Sequence, residues 1–171
     1  MLRNTLNLLP QKIAFNSAEL VCFHEAGHAV SAYDCGATVI GMELFRAETR
    51  PKGLTRVSRN HQQKPLIAVG GFAAEYVLFK AGRLEKEDNT APTEKEFINH
   101  AADNAHDDRI SYFGRDCREG GYWPEEMDRY FMKHAVQYAE HEMDFKKVEA
   151  VAGALFQANK LTQAQIDQLL V

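Results

Sequence analysis

The chain has 171 residues with 24 acids against 20 lysines and arginines, a net charge of −4 that argues against a general nucleic-acid binder, which would be basic. Its 45% apolar and 26% charged residues match an ordinary soluble globular protein, and the length suits one domain with a sizeable core. No apolar run approaches the ~18 residues that span a bilayer, MLRNTLNLLP at the start is too short and polar for a secretory signal, and no GxxxxGKS/T or GxGxxG motif points to a nucleotide motor.

The first predicted helix covers about 17–34. Asn16 and Glu19 stand three apart and can form a capping box at its start, while Gly36 is a natural stop. ATVIGMELFRA (37–47), the turn signal TRPKG (49–53) and GLTRVSRN (53–60) predict an antiparallel β-hairpin. A second helix starts at Pro65 and runs to Gly82. Gly70 and Gly71 sit in its middle, where each costs roughly 1 kcal/mol relative to alanine, so a second helix should pack very close there. Residues 83–92, EKEDN included, read as an exposed polar loop. Thr93 with Glu96 is a capping-box pattern for a helix over 94–113. REGGYW (118–123) reads as a loop whose Tyr122 and Trp123 pack or line a cleft. Pro124 begins a long helix reaching the 140s, and Thr162 with Gln165 caps a last short one, AQIDQLL. The expected class is mainly α with a small β-hairpin or sheet.

Cys22, Cys35 and Cys117 are odd in number and form no CxxC pair, so reduced thiols in a cytoplasmic protein are expected rather than disulfides or a cysteine zinc site. The sharpest feature is HEAGH, His24 to His28. Residues four apart on a helix share a face, so both imidazoles can hold one cation, and Zn²⁺ suits them. Glu25 can then take the proton of a water whose pKa the metal lowers to about 7, which is the HExxH logic of a metallopeptidase. The small residues Ala26, Gly27 and Ala29 let other elements approach, and Phe23 and Val30 argue for burial. Buried imidazoles without a partner would be costly, and a metal removes that cost. Cys22 falls two residues before His24 and should point away from the metal face into the core.

VCFHEAGHAVSA (21–32) resembles the metal helix of the peptidase domain of FtsH-type ATP-dependent zinc proteases. VGGFAAEYVLF (69–79) resembles that family's GGRAAEE helix, and the stretch from Ala139 through VEAVAGALFQANKLTQAQIDQLL resembles its closing helices. Phe72 stands where the family has arginine. The resemblance implies one mostly helical peptidase domain over 1–171, working without the family's ATPase domain and membrane segments, with zinc held by two histidines and an aspartate. The family's aspartate lies on the helix after the AAE helix, which makes Glu94, Asp103, Asp107 and Asp108 the candidates here. Periodicity puts Asp108 in the middle of one face with Ile98, Ala101, Ala105 and Tyr112, Glu94 at the beginning of that face, and Asp103 and Asp107 toward the polar side. An acid in an apolar stripe needs a partner, either the metal or a base such as Arg109. Asp108 is the chosen third ligand, although spacing from His28 slightly favours Asp103. A break near Asn104 would bring Asp103 and Asp107 into play. His100 and His106 read as exposed.

These features together predict a zinc metallopeptidase acting on peptides or unfolded segments, with no nucleic-acid or membrane partner. An extended substrate could add to an edge of the hairpin. The alternative is a non-catalytic or regulatory metal-containing module on the same fold, and intact Glu25 favours catalysis.

Overall fold

A computed structural model describes residues 10–47 and 50–171. The stretch read for a signal, up to residue 9, and the start of the expected turn, Glu48 and Thr49, lie outside the described residues. In chain order the elements are β1 (Ile13–Ala14), α1 (Ala18–Asp34), β2 (Thr38–Phe45), β3 (Lys52–Ser58), α2 (Lys64–Lys80) and β4 (Leu84–Glu85). They continue with α3 (Glu94–Asn104), α4 (His106–Phe113), α5 (Glu125–His141), α6 (Phe145–Ala158), β5 (Lys160–Thr162) and α7 (Gln163–Leu170). The fold is mainly helical with a small sheet. Among the described residues no helix is long and apolar enough to cross a membrane.

α1 is buried along most of its length and packs against α2, α6 and the hairpin. Its contact with α2 is made by backbone. A Cβ added to Gly27 would overlap the carbonyl of Gly70, and one added to Gly70 would overlap that of Gly27. The glycines therefore let the two axes approach closer than side chains would allow. Phe23, Phe72, Phe97, Phe131, Tyr138 and Leu155 are all at most 2% exposed and join in one apolar cluster. Each such side chain contributes about 1.5–3 kcal/mol by leaving water.

The hairpin pairs antiparallel from Phe45↔Lys52 to Thr38↔Ser58, with a bulge between Val39 and Gly41. β5 pairs with the other side of β2, giving the order β3-β2-β5. β3 thus keeps one edge without a partner among the described residues.

Local chemistry moves several expected boundaries. Ser17, not Asn16, caps α1, accepting a hydrogen bond from the Leu20 amide at 3.1 Å, because Asn16 has φ 61 and lies outside the helix. The polar loop after α2 is not wholly exposed: Leu84 is 1% exposed, and β4 pairs in parallel with β1. The helix expected over 94–113 is two helices, unwound at Ala105 (φ −85, ψ 23), with no glycine or proline to mark the break. The helix opened by Pro124 ends at His141, and Asp144 caps α6 through the Lys146 amide. The Thr93–Glu96 and Thr162–Gln165 capping boxes both form.

Candidate metal centre

α1 carries His24 and His28 one turn apart, and α4 brings Asp108 to them. One nitrogen from each histidine and one Asp108 oxygen lie within 4.8 Å of one another. His24 Nε2 and His28 Nε2 are 3.1 Å apart. They lie 3.1 Å and 3.2 Å from Asp108 Oδ2 and Oδ1 respectively. The other ring nitrogens are tied back. His24 Nδ1 donates to Glu75 Oε1 at 2.7 Å, and His28 Nδ1 donates to the Ile67 carbonyl at 2.7 Å. A carboxylate and a carbonyl only accept, so both Nδ1 atoms carry hydrogen. In their neutral form the two imidazoles turn their Nε2 lone pairs toward the Asp108 carboxylate. Three converging acceptors attract a cation, and two nitrogens with one carboxylate are a donor set that divalent zinc accepts. A His24–His28–Asp108 cluster that could hold a metal ion is therefore present.

The electrostatics agree with that geometry. Burial pushes the His24 pKa down, but the Asp108 and Glu75 carboxylates outweigh it and hold it well above the ordinary value. His28 is likewise raised, chiefly by Asp108 against burial. Burial alone would raise the Asp108 pKa, yet the two imidazoles hold it far below the usual carboxylate range. In a metal-free centre, protons take the place of the cation.

Two residues of α2 support the cluster, Glu75, for which the sequence suggested no role, and Gly71, for which it suggested only close helix packing. Glu75 is fully buried in α2 and fixes the His24 ring. Its carboxylate also accepts from the Asn104 amide at 3.2 and 3.4 Å, and Asn104 in turn accepts from Arg50 at 2.9 Å. A lone acid in the apolar run VGGFAAEYVLF was the signal. Gly71 is the second support: a Cβ there would stand 2.5 Å from the His24 ring.

Glu25 is 9% exposed and lies against the hairpin. Thr55 Oγ1 donates to Glu25 Oε2 at 2.6 Å, and the Glu25 stem crosses Gly53, where a Cβ would overlap it. Glu25, both histidines and Asp108 line a cleft of about 520 Å³ between the hairpin, α1 and the α3–α4 pair, within the size range of ligand pockets.

Asp103 and Asp107 also line this cleft but stay outside the histidine cluster, although α3 and α4 part at Ala105, where a break was expected to bring them in. Glu94 is exposed at the start of α3. Arg109 does not pair with Asp108. Its guanidinium reaches Asp128 at 2.5 Å and the Ala102 carbonyl at 2.7 Å, because it projects from the other side of α4. His100 and His106 are half-buried rather than exposed: His100 stacks on Phe15 at 3.9 Å, and His106 meets the edge of Trp123. Trp123 packs under Arg109, and Tyr122 is 81% exposed. Cys22 is fully buried, and its thiol is pushed up to about 12 by burial.

Comparison of the chain with protein-family models, with characterised proteins and with solved structures finds no match.

Proposed function

We propose that the chain is a zinc metallopeptidase that hydrolyses peptide bonds in peptides or unfolded segments, with His24, His28 and Asp108 as ligands and Glu25 as general base. The observation that carries this reading is the convergence of two tied-back imidazoles and a carboxylate beside a second, separately held acid in one cleft. A purely structural centre would have no use for that second acid. The resemblance to FtsH-type peptidase domains points the same way.

Zinc bound there would lower the pKa of a water to about 7 and polarise a carbonyl. The protein's own groups do the rest. The free edge of β3 can pair with an extended chain and lay its backbone along the cleft. Glu25 accepts a proton from the attacking water as its oxygen bonds to the carbonyl carbon. The same carboxyl returns that proton to the departing amine nitrogen as the C–N bond breaks.

The test combines metal analysis with hydrolysis of fluorescein-labelled casein. The parent should carry near-stoichiometric zinc and cleave casein. His28→Ala and Asp108→Ala should lose most of the metal, whereas Asp103→Ala should keep it. Glu25→Gln should keep zinc and slow by about 10²–10⁴-fold. A Glu25→Gln variant as fast as the parent defeats the mechanism, and loss of metal in Asp103→Ala alone reassigns the third ligand.

A further inference from the structure

We propose that Thr55 is a positioning residue that sets which oxygen of Glu25 works, so that the strand offered to the substrate also aims the base. The proposal rests on the peptidase reading above. Thr55 Oγ1 lies 2.6 Å from Glu25 Oε2 and 3.1 Å from the Glu25 backbone carbonyl. A hydroxyl has one proton to give. The shorter contact, to the charged oxygen, has the length of a charge-assisted O–H···O⁻ bond. Threonine is β-branched and stiff at χ1, and Thr55 sits in the paired part of β3 opposite Met42, so Oγ1 is a fixed point.

Glu25 would otherwise turn about three side-chain bonds. Instead its stem lies across Gly53, where any side chain would overlap its Cγ and stand 2.6 Å from Oε1. Gly53 and Thr55, two apart on one strand, therefore grip the stem and Oε2. Oε1 receives no hydrogen bond from the described residues and is the oxygen left for a water proton. Substrate backbone added to β3 would then be aligned by the strand whose Gly53 and Thr55 hold the base, which fixes base and scissile bond in one frame.

The experiment compares Thr55→Val, Thr55→Ser and Glu25→Gln on a quenched-fluorescent peptide drawn from a casein cleavage site. Thr55→Val keeps the shape and removes the hydroxyl. Its kcat should fall about 10–100-fold, as for loss of a supporting partner, with KM and zinc content unchanged. Thr55→Ser should regain most of the rate. A second readout needs no metal: in the metal-free protein, Thr55→Val should lower the melting temperature more in the parent than in Glu25→Ala, where only the residue's backbone carbonyl is left to accept from Thr55. Thr55→Val cleaving like the parent while Glu25→Gln is inactive, or additive melting shifts in that cycle, overturns the role of Thr55 and leaves the peptidase reading standing. Absence of any Glu25-dependent cleavage by the parent instead defeats the peptidase reading, and the proposal with it.

Discussion

Gly71 shows how a missing side chain can serve a site. Alanine in mid-helix is ordinarily better than glycine by about 1 kcal/mol, so Gly71→Ala should help α2 on local grounds. The added Cβ, however, would stand 2.5 Å from a His24 ring that Glu75 and Asp108 hold from two sides. The clash decides the sign: the ring must tilt. At the proposed zinc site, affinity should fall by about 10–100-fold, the range typical when ligand orientation is lost. Gly153 in α6 is the control, since a Cβ there meets nothing within 4 Å. Gly153→Ala should leave zinc affinity alone and raise stability by about 0.5–1 kcal/mol. Competition titrations against a chelator and denaturant melts of both variants check the pair, and unchanged zinc affinity in Gly71→Ala would remove Gly71 from the site.

The α3–α4 pair shows how an element can deliver a side chain to a cluster on another helix. Asp108 reaches the histidines because α4 restarts after Ala105, and α4 is held to α5 by the next residue in the chain, Arg109. Its guanidinium is 7% exposed, pairs with Asp128 and lies 5.0 Å over the Trp123 ring. Asp128→Ala would leave that buried charge unpaired. Because Asp128 is itself 28% exposed, solvent moderates the loss to about 1–3 kcal/mol. Unfolding in urea should show this loss together with weaker zinc binding, and a variant with parental values on both would free α4 from this anchor. The same region marks how far sequence reasoning reaches. HEAGH was legible because both histidines share one helix face, a local property. Asp108 was legible as a member of an apolar stripe, and that stripe survives because Ala101, one turn before the break, and Ala105, at the break, are both buried. The break itself carries no glycine or proline. Glu75, Gly71 and Thr55 act across elements, so their partners lie 51, 47 and 30 residues away, where no periodicity registers them. β5 was missed for a related reason: three residues are too few to show alternation.

At the scale of the whole molecule the centre ties α1, α2 and α4 together, so metal affinity and folding stability are linked. For the proposed zinc site, free metal at a hundred times its dissociation constant adds about 2.7 kcal/mol, or roughly 5–10 °C in melting temperature for a chain this long. The sign with pH follows from the raised His24. Without metal, its pairing with the carboxylates stabilises fully below its ordinary value near 6.5 and is lost as pH rises through the higher folded value. Metal has to displace that proton, so binding strengthens over the same range. The gap in melting temperature between zinc-loaded and chelator-treated protein should therefore widen from pH 6 upward, and a narrowing gap would contradict the linkage. The strand order β3-β2-β5 has another consequence, for the making of the chain. β2 is synthesised more than a hundred residues before β5. At cellular rates of 5–20 residues per second that is on the order of ten seconds. Throughout it the inner edge of β2, from Gly41 to Glu43, waits on the ribosome as an unpaired strand open to any other strand.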